Sequence, residues 1–162
     1  MQDFIHLHVH TYYSILDGQS SVSKLVDKAV ANGMKGMAIT DHGDMFGIKE
    51  LFNYCNKVNG KLRDEGKPEF KPIFGCEMYV ARRKKSDRSD PKVDKSGYHL
   101  IVLAKNYNGY KNLIKLVSRA WVDGFYMRLC RKRCSSRNRF HAFEGRVQST
   151  VCRSRTFPWR FY

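Results

Sequence analysis

Three histidines alternate at His6, His8 and His10 in a segment, 4–10, whose intervening residues are Ile5, Leu7 and Val9. On an extended chain the imidazoles share one face and the aliphatic side chains share the other. Neutral imidazole is the commonest side-chain ligand for zinc, and it suits manganese and iron as well. A His-x-His pair on a strand projects two rings about 7 Å apart at the backbone, within reach of one ion. A solvent-facing polar strand edge carries the same pattern. Asp41 and His42 follow directly on the apolar run 36–39, beyond a strand end, where parallel α/β folds gather their sites. That pair can supply two ligands, a ligand with its orienting carboxylate, or a turn in which Asp41 or Asp44 caps the next helix. Glu77 interrupts the apolar run 73–80 and is therefore paired, a ligand (the position suits a bridge between two cations), or on an exposed face. His99 opens the apolar run 100–104 as a hydrogen-bonded structural residue or a ligand, and Asp17 precedes Gly18 in a turn. Five of the six histidines, with Asp17, Asp41 and Glu77, thus fall near strand ends. Such a set suits two or three metal ions doing phosphoester chemistry, in which the ions generate a hydroxide nucleophile and neutralise charge on the phosphorus oxygens.

The elements that must hold these residues alternate. A strand is expected over 4–10. Ser20 or Ser21 can cap a helix with Val22, Leu25, Val26, Ala29 and Val30 on its buried side, stopped near Gly33. A short buried strand follows at 36–40, then a helix at 46–58 with Ile48, Leu51, Phe52, Cys55 and Val58 on one side. Strands are expected at 72–80 and 98–104, separated by a polar loop, 82–96. A last helix, capped by Asn108, buries Leu113, Leu116, Val117 and Ala120. The order indicates an α/β fold with a mainly parallel sheet or barrel.

The chain has 162 residues, a size suited to one domain, and a net charge of +15. The charge is uneven. Residues 128–162 hold ten basic residues against the single acid Glu144, and the loop 82–96 holds seven against three. No run of about 18 apolar residues is present, which argues against a membrane span. The N-terminus, Met1, Gln2 and Asp3, lacks the features of a signal peptide. Five cysteines without such a signal read as reduced thiols in a cytoplasmic protein.

The flanking residues carry a resemblance. The runs 8–14 (with His8, His10 and Ser14), 40–42, 75–77 and the lone His99 resemble the PHP (polymerase and histidinol phosphatase) domain. The runs 13–18, 38–43, 75–80, 99–106 and 109–113 are similar to the form found at the N-terminus of bacterial replicative DNA polymerase alpha subunits, over about 3–127. The resemblance implies part of a distorted seven-stranded β/α barrel with a metal cluster at one end. It implies His8, His10, Asp17, His42, Glu77 and His99 as metal ligands, with Asp41 and Glu77 as the carboxylates assigned to catalysis, Asp41 from behind the ligands. His6 precedes the motif and is read as structural. The implied cofactors are two or three divalent ions (Zn, Mn or Mg). The implied partners are DNA and the proofreading and clamp subunits of a replicative polymerase, with no membrane. The parent activity would be DNA-templated DNA synthesis, with 3′–5′ exonuclease or phosphoesterase chemistry in the domain itself. Two alternatives stand beside it: a separate phosphoesterase of the histidinol-phosphatase kind, and a non-catalytic metal-held scaffold that docks a replisome partner.

The late Asp-x-His pair of the family is not found after His99. The expectation is therefore a truncated domain at 1–127, with an incomplete ligand set, and a basic Arg/Ser/Cys-rich tail at 128–162 outside the family pattern. The tail has no helical or alternating period and reads as disordered or as translation out of frame; the nucleotide sequence around codon 128 decides between these. Rival readings of the tail are a zinc site from Cys130, Cys134, His141 and Cys152, and a single-strand binder using Phe140, Phe143, Trp159 and Tyr162 among the arginines.

Overall fold

The computed structural model describes residues 4–83, 90 and 98–124, together with the backbone of 126–128, 135–137 and 151–153. The tail zinc and single-strand readings, and most of the loop 82–96, lie outside the described residues. The chain divides into two compact units, Met1–Glu77 and Met78–Tyr162, so the change in composition near Met127 falls inside the second.

The first unit is built on α1 (Val22–Ala31), β1 (Gly36–Ile39), α2 (Gly47–Asp64) and most of β2 (Lys71–Val80). Ser21 caps α1 by accepting from the Lys24 N–H, and Gly33 takes a positive φ of 74° just past its end. β1 pairs in parallel with β2, from Gly36 opposite Lys71 to Ile39 opposite Phe74. Val22, Val26 and Ala29 from α1, Met37 and Ile39 from β1, and Leu51 and Cys55 from α2 close over Phe70 as one core. The helix periodicity therefore marks most of the core faces, but Phe52, expected on the buried side of α2, is 44% exposed. α2 runs beyond 58 to Asp64, because the Asn59 amide is used on the Phe70 backbone, donating to its C=O at 2.9 Å and accepting from its N–H at 2.8 Å. Cys55 and Cys76 are buried free thiols.

The segment 4–10 does not form the continuous strand its alternation predicts. It makes one parallel bridge, His6 to Met37. The Ala38 N–H donates to the His6 C=O at 2.8 Å, but the Thr40 N–H donates to the Val9 C=O at 2.9 Å. Three residues of one segment thus span two of the other, and the extra residue breaks the ladder as a bulge does. The Val9 N–H turns instead to Thr40 Oγ1 at 3.0 Å.

In the second unit, β3 (Tyr98–Ala104) and α3 (Tyr107–Gly124) pack together, and β3 pairs antiparallel with β6 (Val151–Arg153). β4 (Tyr126–Arg128) and β5 (Ser135–Arg137) form a separate antiparallel pair. Leu113, Val117 and Ala120 are buried on α3. The cap of α3 is Asn106, whose Oδ1 accepts from the Gly109 N–H at 2.9 Å, rather than Asn108. Against the mainly parallel sheet expected from the order of elements, β1 with β2 is parallel, while β3 with β6 and β4 with β5 are antiparallel. β4, β5 and β6 have three residues each, too few to leave a period in the sequence.

Candidate metal centre

Glu77 reaches the site through strand register. Opposite β1, β2 runs parallel, and three residues beyond Ile39 the same offset sets His42 beside Glu77 as an isolated bridge. The Glu77 N–H donates to the Asp41 C=O at 3.0 Å, and the Gly43 N–H donates to the Glu77 C=O at 2.8 Å. The Glu77 side chain is 3% exposed, and its Oε2 lies 2.9 Å from His8 Nε2, 2.9 Å from His10 Nε2 and 3.4 Å from His42 Nδ1. The two Nε2 atoms of His8 and His10 are themselves 2.9 Å apart. His10 and His42 stack with centroids 4.2 Å apart, and Asp17 Oδ2 sits 2.7 Å from His42 Nε2.

Behind this cluster lies a buried polar layer. Asp41 is 1% exposed; its Oδ1 accepts from the Thr11 N–H at 2.6 Å and the Ser14 hydroxyl at 2.7 Å, and its Oδ2 accepts from the Thr11 hydroxyl at 2.8 Å. Asp41 therefore reaches the cluster through Ser14, whose Oγ is 2.9 Å from His10 Nδ1. Burial, with His42 close by, lowers the pKa of His10 below its ordinary value, which favours the neutral ring. Burial pushes the Asp44 carboxyl up to about 6.

Five of the expected residues, His8, His10, Asp17, His42 and Glu77, are brought together in the first unit, with Asp41 behind them. His99 lies in the second unit, on β3, edge-on to Tyr79 with centroids 4.7 Å apart. His6 stays out of the cluster and packs edge-on against Phe4. Thr11 and Ser14 were not singled out by type or spacing. Hydroxyl residues are common, and only their full burial, at 0% and 2% exposed, marks these two.

The donor set fits a cation. Three lone-pair atoms, two imidazole nitrogens and one carboxylate oxygen, lie within 2.9 Å of one another, and His8, His10 and Glu77 form a group able to hold one ion. Two Nε2 protons would satisfy Glu77 but would set two N–H groups against each other; a cation satisfies all three atoms at once.

The α/β first unit, with histidines gathered around the buried Glu77, defines a class, domains whose side chains could hold a metal ion. Within that class, the chain belongs to the PHP domain family, whose sequence profile matches residues 6–155 and so passes Met127 into the basic stretch. It is similar to the DNA polymerase III alpha subunit of Treponema pallidum, 46% identical over 123 residues, which cover 76% of this chain and 10% of that protein. It is also similar to the alpha subunit of Borreliella burgdorferi, 42% identical over 125 residues, 77% of this chain and 10% of that protein. The similarity falls on the N-terminal region of those proteins, and the chain spans about a tenth of their length. Among solved structures, a protein of Bifidobacterium adolescentis assigned as a metal-dependent phosphoesterase superposes with a TM-score of 0.43 at 20% identity, over 73% of this chain and 32% of that one.

Proposed function

We propose that this chain is part of the N-terminal PHP domain of a replicative DNA polymerase alpha subunit, and that in the complete barrel its histidine–carboxylate cluster hydrolyses phosphodiesters at the 3′ end of single-stranded DNA, while the 162-residue chain, with its incomplete ligand set, does not. The observation that carries the reading is the convergence of His8 Nε2, His10 Nε2 and Glu77 Oε2 at 2.9 Å from one another. His8, His10 and Glu77 would hold one divalent ion (Zn, Mn or Mg), and His42 with Asp17 would hold a second. His99 joins the ligand set on the resemblance alone, as does the seven-stranded barrel. A divalent ion supplies acidification of water and neutralisation of charge on the phosphoryl oxygens. The chain's own residues do the rest. Glu77 concentrates negative charge at a desolvated point, the stacked rings of His10 and His42 fix each other's plane, and Asp41 holds the loop that carries Ser14 and Asp17. DNA and the other subunits of the polymerase are the proposed partners, and the cytoplasm the proposed location.

The test is metal content and hydrolysis of single-stranded DNA, measured on the 162-residue chain and on a version carried in a complete PHP barrel. The expected result is bound metal and, in the complete barrel, hydrolysis that His10→Ala and Glu77→Ala both abolish. Full metal occupancy with no hydrolysis in the complete barrel would refute the enzymatic reading and leave a metal-held scaffold.

A further inference from the structure

The Ser14 hydroxyl has three polar neighbours and the capacity for three hydrogen bonds, one donated and two accepted. Asp41 Oδ1, a carboxylate oxygen with no proton to give, is 2.7 Å away and must accept. The His42 backbone N–H, 3.1 Å away, can only donate. The third neighbour is His10 Nδ1 at 2.9 Å, and with the single hydroxyl proton committed to the carboxylate, this bond forms only if the nitrogen donates; Glu77 Oε2, 2.9 Å from His10 Nε2, competes for the ring proton, but His8 Nε2, also at 2.9 Å, can meet that oxygen in its place. A charge-assisted bond to a carboxylate outcompetes one to a neutral imidazole, so the alternative proton arrangement loses. Asp41 cannot turn away, because Thr11 holds both of its oxygens. Ser14, Thr11 and Asp41 are all within 2% of full burial, so water offers no substitute partner.

We infer that Ser14 is the positioning residue of this centre: it fixes His10 as the Nδ1–H tautomer and so leaves the Nε2 lone pair aimed at Glu77 and His8 as a metal donor. The same hydroxyl ties down the His42 backbone, so one side chain sets two of the converging imidazoles. The hydrogen-bond path from Asp41 to His10 runs through this hydroxyl. The inference rests on the metal-binding reading above for its consequence, and on hydrogen-bond capacity alone for the tautomer. Partners that orient a ligating histidine from behind contribute about 10–100-fold to metal affinity.

The experiment has two readings on the 162-residue chain. Long-range nitrogen–proton correlation spectra of the metal-free chain, above the pKa of His10, assign its tautomer; zinc titration by calorimetry gives affinity. The expected result is an Nδ1–H ring on His10 in the unmodified chain. In Ser14→Ala a substantial Nε2–H population should appear and zinc affinity should fall about 10–100-fold. Ser14→Thr, which keeps the hydroxyl, should restore both. An Nε2–H ring in the unmodified chain overturns the assignment without any variant having to fold. Unchanged zinc affinity in a folded Ser14→Ala overturns the positioning role. An unmodified chain that shows the Nδ1–H tautomer yet binds no zinc overturns the metal reading and leaves the tautomer assignment supported.

Discussion

Gly18 closes the neck of the loop that carries Ser14 and Asp17. Its N–H donates to the Ser14 C=O at 2.9 Å, and the Tyr12 N–H donates to the Ser20 C=O at 3.1 Å across the same neck. A Cβ built on Gly18 would lie 2.0 Å from the Thr11 carbonyl oxygen and 2.6 Å from its carbon. Ordinary contact begins near 3.4 Å, so Gly18→Ala must open the neck by about 1.4 Å, and because the obstacle is backbone no rotamer change can absorb it. Overpacking of this kind costs about 1–3 kcal/mol, which for a chain of this size lowers Tm by roughly 2–12 °C. The shift is passed to Thr11 and Asp17, hence to Asp41 and to the 2.7 Å contact with His42, so zinc affinity should fall by about tenfold or more. Gly60→Ala is the matched control. It lies inside α2 with nothing within 4 Å of the added methyl, and there the same chemical change should stabilise by about 1 kcal/mol and leave zinc binding alone. Thermal unfolding and zinc calorimetry on both variants decide the matter. Shifts of the same sign in the two, or a Gly18→Ala chain with unchanged Tm and affinity, would refute the reasoning.

Asp44, 6% exposed, has its carboxyl pushed from 3.8 up to about 6, chiefly by burial. The folded chain therefore holds this proton more tightly than the unfolded one, an advantage complete below pH 3.8 and lost as pH rises through about 6. Asparagine mimics the protonated form and keeps the acceptor for the Phe46 N–H at 3.1 Å. In metal-free buffer Asp44→Asn should gain about 1–3 kcal/mol at pH 7 and nothing at pH values below the ordinary carboxyl range, read by urea unfolding at the two extremes. Leu51 is fully buried between α1 and β1, and Leu51→Ala should cost about 2–5 kcal/mol by the same denaturation assay; a loss below 1 kcal/mol would mean the core collapses around the change.

What could be read from the sequence follows the range of the forces involved. α1 is bounded by a local cap at Ser21 and a left-handed glycine at Gly33, both nearest-neighbour signals, and its limits were legible. The far end of α2 was not, because Asn59 resembles a stop residue until its amide meets the Phe70 backbone eleven residues on. The alternation is real in exposure over 4–9, yet the ladder is broken by a bulge at which the Val9 N–H turns to the Thr40 hydroxyl. His8 and His10 announced themselves by spacing. Their contact with Glu77, 69 residues away from His8, depends on strand register; by type and position Glu77 was one candidate in the set near strand ends, with a paired or exposed role equally open. Ser14 entered only as part of the run 8–14 that carries the resemblance, without a role, because a hydroxyl becomes informative only when every hydrogen bond it can make is accounted for.

The two buried thiols give this molecule an internal clock. Burial pushes Cys55 up to about 11 and raises Cys76 further, so at neutral pH neither presents a reactive thiolate while its surroundings stay closed. Alkylation of either therefore waits on a local opening, and its rate measures how often that opening occurs. Cys55 lies on the core side of α2, while Cys76 lies in β2 next to Glu77 and donates to the Asp41 C=O at 3.6 Å. Labelling resolved by peptide would time the breathing of the helical core and of the strand that carries Glu77 separately, in one sample and without a probe being introduced.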